Sequence, residues 1–267
     1  MSVPDLATTP DVTGQSRAGL RYRIHGSVQQ TAIVDLAPGQ TVFSDAGGMS
    51  WMSSTVEMNT HSGGGLGGMM KRAFSGATLF IIDFTAPRAA GHVAFASDFP
   101  GKIIPFELAA GESMIMHKHA FVCAEKSVQL DITFTRKFGA GLVGGEGFIL
   151  QKVTGPGLVF AELDGDALEY RLGPGEMMKI EPGHIAMFDP TVTFDITIVK
   201  GIKNMLFGGE GIFLGTLTGP GRIWLHSMTV HQMAHRIGEA LPARGENAAA
   251  GGIAGAVISG ILRGRRD

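Results

Sequence analysis

Charge is scarce in this chain of 267 residues, and neither sign predominates. Charged residues make up 17% of the sequence, and the formal net charge is −2. Domains whose main partner is a nucleic acid usually carry a strong basic excess. The composition therefore excludes DNA as an expected partner and makes RNA an unfavoured one.

Cysteine and long apolar runs are scarce as well. The single cysteine, Cys123, excludes an internal disulfide framework and is typical of a reducing compartment. The first residues contain neither the basic start nor the apolar run of a secretory signal. No stretch approaches the roughly 18 consecutive apolar residues that span a bilayer. We therefore expect a soluble, cytoplasmic protein.

Motifs of common enzymes are also missing. The chain has neither the G-x-S-x-G turn of hydrolases nor the phosphate-binding G-x4-G-K-[S/T] loop. Segments 63–68 and 139–144 match the dinucleotide pattern G-x-G-x-x-G, but they lack the parallel strand before it and the helix after it. The sequence accordingly predicts no catalytic residue, no cofactor-binding residue and no cofactor.

Glycine is abundant, with 40 residues that cluster between apolar runs. Its share is about twice the roughly 7% that is usual in proteins. Glycine-rich punctuation between short apolar segments is typical of β-sandwiches and barrels. The composition thus favours an all-β fold.

One stretch of the sequence occurs twice. The segment GGEGFILQKVTGPG (144–157) returns as GGEGIFLGTLTGPG (208–221), with nine of fourteen letters identical. The similarity extends upstream, and a fainter first copy aligns Gly39 with Gly111 and Gly175. Self-similarity of this kind indicates an architecture of repeated structural units.

The repeats are predicted to consist of strands. Residues 128–135 and 192–199 alternate apolar and polar side chains, which places the apolar ones on one face of a strand. We predict three pseudo-repeated antiparallel β segments that form a β-sandwich or double-stranded β-helix-like domain, with a short helix after about Val230. The expected divisions are a flexible N-terminus (1–19), a β domain (20–237) with repeats at about 36–100, 108–171 and 172–230, and a Gly/Ala-rich tail (238–267).

The T-G-P-G sequence that ends the last two copies predicts a turn. Proline presets φ at the corner, and the glycine after it is expected to adopt positive φ. We interpret these residues as serving backbone geometry and not chemistry: Gly155, Pro156, Gly157, Gly219, Pro220 and Gly221.

Several stretches together resemble a known family. They include YRIHGSVQQ, SDAGGMSWMS, HVAFASDFPGKI and the two glycine motifs, and they cover about residues 21–237. The chain is similar to the family named for altered inheritance of mitochondria. That resemblance implies three pseudo-equivalent β segments related to the fold of the tryptophan-RNA-binding attenuation protein. It also implies a homo-oligomer and a fungal mitochondrial relative connected with inner-membrane organisation, but it supplies no catalytic residues.

A histidine pair is the candidate for a metal site. His117 and His119 would share one face of a strand, as metal ligands must. With Glu125 they resemble the first metal motif of the cupins, although the carboxylate lies one or two residues too far along. The simpler interpretation is that both are structural histidines at or near the surface.

Cations mixed with apolar residues precede each copy of the glycine motif. Apolar loop tips flanked by cations suit an anionic membrane surface or a groove on a protein partner. The alternative is that these apolar side chains cover the core or a subunit contact. The residues are Lys71, Arg72, Phe74, Arg136, Lys137, Phe138, Lys203, Met205, Leu206 and Phe207.

Taken together, these patterns favour a non-enzymatic scaffold or interaction protein that self-associates and presents its loops to a protein partner or a membrane. A divergent cupin-like metalloenzyme that uses His117 and His119 is the alternative. An RNA-binding module, by analogy with the attenuation-protein fold, is a second alternative.

Overall fold

A computed structural model describes residues 11–62, 80–136, 148–198 and 213–240. These ranges contain twenty antiparallel β-strands and one α-helix, so the predicted all-β class is confirmed. The strands are β1 Val12–Gln15, β2 Arg21–His25, β3 Thr31–Leu36, β4 Thr41–Asp45, β5 Trp51–Met52, β6 Glu57–Ser62, β7 Phe80–Thr85, β8 Gly91–Ala96, β9 Gly101–Leu108, β10 Ser113–His117, β11 Phe121–Glu125, β12 Gln129–Arg136, β13 Phe148–Thr154, β14 Gly157–Asp164, β15 Ala167–Leu172, β16 Met177–Ile180, β17 Ile185–Phe188, β18 Thr193–Ile198, β19 Phe213–Thr218 and β20 Gly221–His226. Helix α1 spans Val230–Ala240, and two 3-10 turns cover Lys118–Ala120 and Pro182–His184.

Strands β3 to β20 form three consecutive units of six, which begin at Thr31, Gly101 and Ala167. In every unit the sixth strand pairs with the first and the third, and the fifth strand pairs with the second and the fourth. Each unit therefore consists of two three-stranded halves. The units begin a few residues before the repeat boundaries expected from the sequence.

One strand pairing joins each unit to the next. The second strand of a unit pairs with the third strand of its successor, as β4 does with β11 and β10 with β17. These junctions merge half-units into two six-stranded sheets, sheet B (β6-β7-β4-β11-β14-β9) and sheet C (β12-β13-β10-β17-β20-β15). The remaining halves are sheet A (β1-β2-β3-β8-β5) and sheet D (β16-β19-β18).

The core is divided into three apolar clusters that separate the four sheets. Val34 and Phe160 belong to the cluster between sheets A and B. Met116 and Val159 belong to the cluster between B and C, and Leu217 lies between C and D. Sheets B and C are thus covered on both faces, whereas A and D each have one face outside these clusters.

Local sequence pattern explains why the individual strands form. In β12 the side chains of Leu130 and Ile132 turn inward, whereas Asp131 and Thr133 are exposed. Strand β18 shows the same alternation. The predicted period of two is confirmed in β18. In β12 it holds only as far as Ile132: the register shifts between Ile132 and Phe134, so Phe134 packs against the cluster between sheets C and D and not on the face of Leu130.

The N-terminal segment has more structure than the sequence predicts. Residues from Val12 onward, expected to belong to a flexible terminus, form β1, which pairs with β2. Ser16 is buried, and its hydroxyl donates a hydrogen bond to Glu125 at 2.6 Å. That partner lies 109 residues away, so local pattern carries no trace of it.

Helix α1 begins at Val230, as the sequence predicts. The Thr229 hydroxyl accepts a hydrogen bond from the Gln232 amide at 3.1 Å and so caps its first turn. Within the described residues, α1 has neither the length nor the apolar character of a membrane-spanning helix.

Candidate functional site

The T-G-P-G turns form the same corner in the second and third units. The Gly155–Pro156 and Gly219–Pro220 peptide bonds are cis, and Gly157 and Gly221 have φ of +141° and +150°. The predicted positive φ is therefore confirmed at both glycines. Each of these glycines begins the sixth strand of its unit, where it pairs with the first strand.

A side-chain oxygen from the end of the third strand holds each corner in place. Glu125 Oε2 accepts the Leu158 amide at 2.8 Å, and Asp189 Oδ2 accepts the Arg222 amide at 2.8 Å. In the first unit the Ser53 hydroxyl accepts the corresponding amide at 3.0 Å. The repeated motif thus has a structural role, because the side-chain oxygens beside it accept hydrogen bonds from backbone amides.

Glu125 does not join the two histidines with which it was considered as a metal ligand. Its carboxylate is buried, and it accepts one hydrogen bond from Ser16 and one from Leu158. It ends β11, which begins just after the turn that contains His119. Since a strand rises about 3.3 Å per residue, four residues carry Glu125 about 13 Å along β11.

His117 ends β10, and its imidazole is buried. The ring centroid lies 4.9 Å from that of Phe148 and 5.2 Å from that of His119. Burial lowers the pKa of His117 from 6.5 to about 3, with smaller contributions from His119, His226 and Lys118. The imidazole is therefore neutral at neutral pH and packs against an aromatic ring.

His226, at the end of β20, is held by the backbone on both sides of its ring. Nε2 donates to the Gly183 carbonyl at 2.6 Å, and Nδ1 accepts the Asp164 amide at 3.3 Å. Burial lowers its pKa to about 4, which agrees with a neutral ring in this tautomer. His184 Nδ1 donates to the His226 carbonyl at 2.7 Å. These bonds fasten the 3-10 turn Pro182–His184 to the end of sheet C.

The structure brings together two of the three predicted metal-ligand candidates and separates the third. Across the described ranges, no group of three or more His, Cys, Asp or Glu side chains is arranged to hold a metal ion. Both ring nitrogens of His226 are engaged, so it offers no free ligand atom to His117 and His119. A cupin-like metal site at His117 and His119 stays a prediction, and Glu125 does not supply its carboxylate.

Sequence reasoning missed a group of carboxyl groups at the end of β14, in which Asp164 is buried beside His226 and Glu162 is half-buried. Burial, with Asp164 and Asp98, raises the pKa of Glu162 from 4.5 to about 8. Burial and Asp98 raise the pKa of Asp164 to about 6. Glu162 therefore retains its proton at neutral pH. In the sequence, Glu162 and His226 occupy equivalent positions of the sixth strands of their units. This equivalence does not predict which side chains surround them in the fold.

A second polar pair lies at the core between sheets B and C. Gln151 is fully buried on β13, and neither of its amide atoms has a hydrogen-bond partner; the same holds for Asp45 Oδ1. Burial raises the pKa of Asp45 to about 6, and the nearby Gln151 amide lowers it by a smaller amount. The two side chains are not within hydrogen-bonding geometry of each other. Unpaired polar atoms in an apolar core are destabilising.

The predicted membrane or partner loops fall mostly outside the described residues. Arg136 is the last residue of β12. The others lie outside the described ranges: Lys71, Arg72, Phe74, Lys137, Phe138, Lys203, Met205, Leu206 and Phe207.

Large exposed apolar side chains occur instead on sheet edges and faces, which sequence reasoning did not single out. Five of them lie in the first and third units: Trp51, Met58, Leu168, Tyr170 and Met177. In β15, Leu168 and Tyr170 alternate with charged residues as in a strand that buries one face, and β5 and β16 are too short to show a period, so the sequence alone does not distinguish these side chains from core residues. Only the sheet order shows that nothing among the described strands covers them.

The fold and these sites define a repeated, antiparallel all-β protein whose polar clusters mainly hold backbone in place. Residues 22–228 match the family described as mitochondrial biogenesis AIM24, and the chain belongs to that family. The resemblance drawn from the sequence is thereby confirmed. The relation to the attenuation-protein fold stays a prediction.

Two streptococcal proteins are similar over most of their length. An uncharacterized protein of Streptococcus pyogenes serotype M6 is 28% identical over 233 residues, which cover 84% of this chain and 92% of that protein. A crystal structure of a Streptococcus pyogenes protein superposes with a TM-score of 0.66 at 24% identity, and covers 83% of this chain and 100% of the other. The second likeness shows the fold alone.

Proposed function

We propose that this protein is a non-enzymatic scaffold that works by associating with copies of itself. The observation that carries the proposal is the exposure of Trp51, Met58, Leu168, Tyr170 and Met177 on the first and third units. Apolar side chains grouped on a surface favour association, because contact removes them from water.

Strand edges that have no partner among the described residues support the same conclusion. Strand β5 ends sheet A, and β16 ends sheet D. Each offers backbone N–H and C=O groups along one edge, and such edges are templates for pairing with another chain. Two of the exposed apolar residues, Trp51 and Met177, lie on these two edge strands themselves.

The polar clusters support a structural role. Both oxygens of Glu125 and both ring nitrogens of His226 bond to neighbouring groups of the fold. Side chains that are already engaged in this way contribute to folding, and they are not available as ligands or general bases.

Light scattering coupled to size-exclusion chromatography tests self-association on the full-length protein. We expect a mass of at least twice 28.1 kDa at high micromolar concentration, and a smaller average mass on dilution. A monomer throughout that range would contradict the proposal.

Metal analysis distinguishes the scaffold from the metalloenzyme alternative. Protein purified from medium supplemented with zinc, iron and manganese should carry no stoichiometric metal. About one metal ion per chain, lost in the double variant His117→Gln/His119→Gln, would favour the metalloenzyme.

A further inference from the structure

The pairing that joins consecutive units inside the chain can also be considered between two copies of the chain. Each junction pairs the second strand of one unit with the third strand of the next, with Phe43 opposite Ala124 and Ile115 opposite Phe188. Among the described strands, β16 is the one second strand with no third strand beside it, and β5 is the one third strand with no second strand beside it.

The units share a residue frame that fixes which positions correspond. In each unit one side-chain oxygen accepts a hydrogen bond from the backbone amide three residues earlier, at 2.8 Å. The residues are Gln40, Glu112 and Glu176. Corresponding residues therefore lie 72 positions apart between the first two units and 64 between the last two. The third strands align in the same way, since Trp51, Cys123 and Met187 pair with equivalent positions of the sixth strands.

Burial at these positions differs between internal and terminal units. Cys123 and Met187 are 0% and 2% exposed, whereas Trp51 is 48% exposed. Trp51 lies on the face of sheet A that points away from sheet B, because its neighbour Met52 packs toward B. The first unit therefore exposes, on that face, a position that the other units bury.

The third unit shows the complementary defect. Leu168 and Tyr170 lie opposite Leu225 and Ile223 and so face sheet D, yet each is 44% exposed. Their first-unit equivalents, Ala32 and Val34, are fully buried. Among the described strands, sheet D has three where B and C have six, so no second half of D extends over Leu168 and Tyr170.

A third position leads to the same conclusion independently. Met58 lies opposite Phe84 on the face of sheet B that points toward sheet A, and it is 41% exposed. Its second-unit equivalent, Leu130, is 7% exposed. Within the part of the chain that the structure describes, sheet A has no half that covers Met58, just as sheet D has none that covers Leu168.

We infer that sheet D of one copy joins sheet A of a second copy through β16 and β5, antiparallel, in the register of the internal junctions. This inference rests on the proposed self-association and specifies its interface. Lys179 would lie opposite Met52, and Ile180 opposite Trp51. The joined sheet, β18-β19-β16 followed by β5-β8-β3 of the second copy, repeats the strand order of sheets B and C.

The joint matches the exposed apolar surface on both sides. Trp51 of the second copy comes to the face that carries Leu168 and Tyr170, and Met58 of the second copy comes to the outer face of sheet D, where Met177 is 69% exposed. The two surfaces differ, so the contact is head to tail and leaves a free end at each side. Such contacts build chains of copies or closed rings.

Charge substitutions on each side test the interface separately. Trp51→Glu disables the β5 side, and Leu168→Glu with Met177→Glu disables the β16 side. Val12→Glu is the control, since Val12 is exposed on β1, four strands from β5, and shares a face with Ile24 that points toward sheet B. Circular dichroism and the thermal midpoint should show that all three variants remain folded. By light scattering, each interface variant should be monomeric, and the control should assemble like wild type.

Mixing the two interface variants gives the decisive outcome. Each retains the side that the other lacks, so an equimolar mixture should recover association, but only as dimers. Monomeric wild type would overturn both this inference and the proposed function. Wild type that assembles together with interface variants that assemble equally well, or a mixture that stays monomeric, would overturn the head-to-tail interface and leave self-association standing.

Discussion

At the scale of single residues, this fold depends on one acceptor for each unit. Ser53, Glu125 and Asp189 lie at the ends of the third strands of their units, and each accepts a hydrogen bond from the amide of the second residue of the sixth strand. In the second and third units that amide follows a positive-φ glycine, Gly157 or Gly221. The corner therefore requires both a particular backbone conformation and empty space beside it.

The first prediction separates these two requirements at Gly157. A Cβ at Gly157 would lie 2.8 Å from Ser127 Oγ and 2.9 Å from Val128 Cγ2, whereas a Cβ at Gly175 meets nothing within 4 Å. Both glycines have positive φ, and such strain costs about 1–3 kcal/mol. Urea unfolding should show Gly157→Ala to be more destabilising than Gly175→Ala. Equal losses would mean that the corner has room for a side chain.

The second prediction concerns the unpaired amide of Gln151. Replacement by Met keeps the length of the side chain and removes two buried atoms that lack partners, each of which costs about 1–3 kcal/mol. Gln151→Met should therefore raise the free energy of unfolding. Lys152→Met, at a half-buried neighbouring position, is the control. A loss of stability in Gln151→Met alone would show that a partner for the amide exists in solution.

The third prediction is a pH dependence that originates at Glu162. Its pKa is about 8 in the folded protein against 4.5 when unfolded, so the folded state binds more protons between these values. Stability from this group is present below pH 4.5 and declines as pH rises toward 8. The depressed pKa values of His117 and His226 act in the opposite sense, but only below about pH 6.5. Asp45 and Asp164 complete their titration near pH 6.

Urea midpoints between pH 6.5 and 7.5 therefore report mainly on Glu162, because the raised pKa of the buried Cys123 thiol affects stability only at higher pH. Wild type should lose stability across this interval, and Glu162→Gln should reduce the slope. Glu57→Gln, which removes an exposed carboxyl group on β6, should retain the wild-type slope. If Glu162→Gln and wild type have identical slopes, the half-buried, protonated state of Glu162 is wrong.

At the scale of elements, the sequence predicts strands and turns more readily than their pairing. Alternation at Leu130 and Ile132 is local, so β12 and the inward face of its first half could be predicted, whereas the register shift before Phe134 could not. The start of α1 at Val230 was also accessible. Pairing between β4 and β11 joins residues about 80 positions apart and has no local signature. Strand β5 contains only two residues, Trp51 and Met52, and so is too short for a period of two to be visible.

The lack of a local signature for long-range contacts also explains why Glu125 was wrongly grouped with His117 and His119. His117 and His119 are two residues apart, so their proximity could be predicted. The partners of Glu125 are Ser16 and Leu158, which lie 109 and 33 residues away. A motif that appears continuous in sequence is therefore divided between the two ends of β11, because an extended strand separates its own ends.

The fourth prediction concerns helix α1. Thr229 is buried and caps the helix through its hydroxyl, and loss of such a cap costs about 1 kcal/mol. Thr229→Ala should lower the free energy of unfolding by about this amount and increase proteolysis within 230–240. Thr229→Ser, which keeps the hydroxyl, should stay close to wild type. If the Ala and Ser variants behave identically, the Thr229 hydroxyl does not stabilise the helix.

At the scale of the whole molecule, the chain consists of two complete sheets between two incomplete ones. Sheets B and C contain six strands each, whereas D contains three and A contains one half-unit extended by β2 and β1. Exposed apolar residues lie beside the missing halves: Trp51, Met58, Leu168, Tyr170 and Met177. The chain thus exposes at both ends the surface that it buries twice inside itself.

The central claim is that one copy continues the sheets of another, and a cysteine pair placed across the joint tests it most directly. Directly opposed residues on antiparallel strands have Cβ atoms about 4.5–5.5 Å apart, which a disulfide can bridge with small adjustment. In the double variant Met52→Cys/Lys179→Cys, mild oxidation should link copies head to tail, and the native Cys123 is fully buried. Non-reducing electrophoresis should then show a ladder of covalent dimers, trimers and larger species. The control Ser54→Cys/Lys179→Cys, whose first cysteine lies two residues past Met52 and beyond the end of β5, should give far less, and each single variant should stop at dimers. A double variant that stays monomeric, or that cross-links no better than the displaced control while wild type assembles, would contradict the claim.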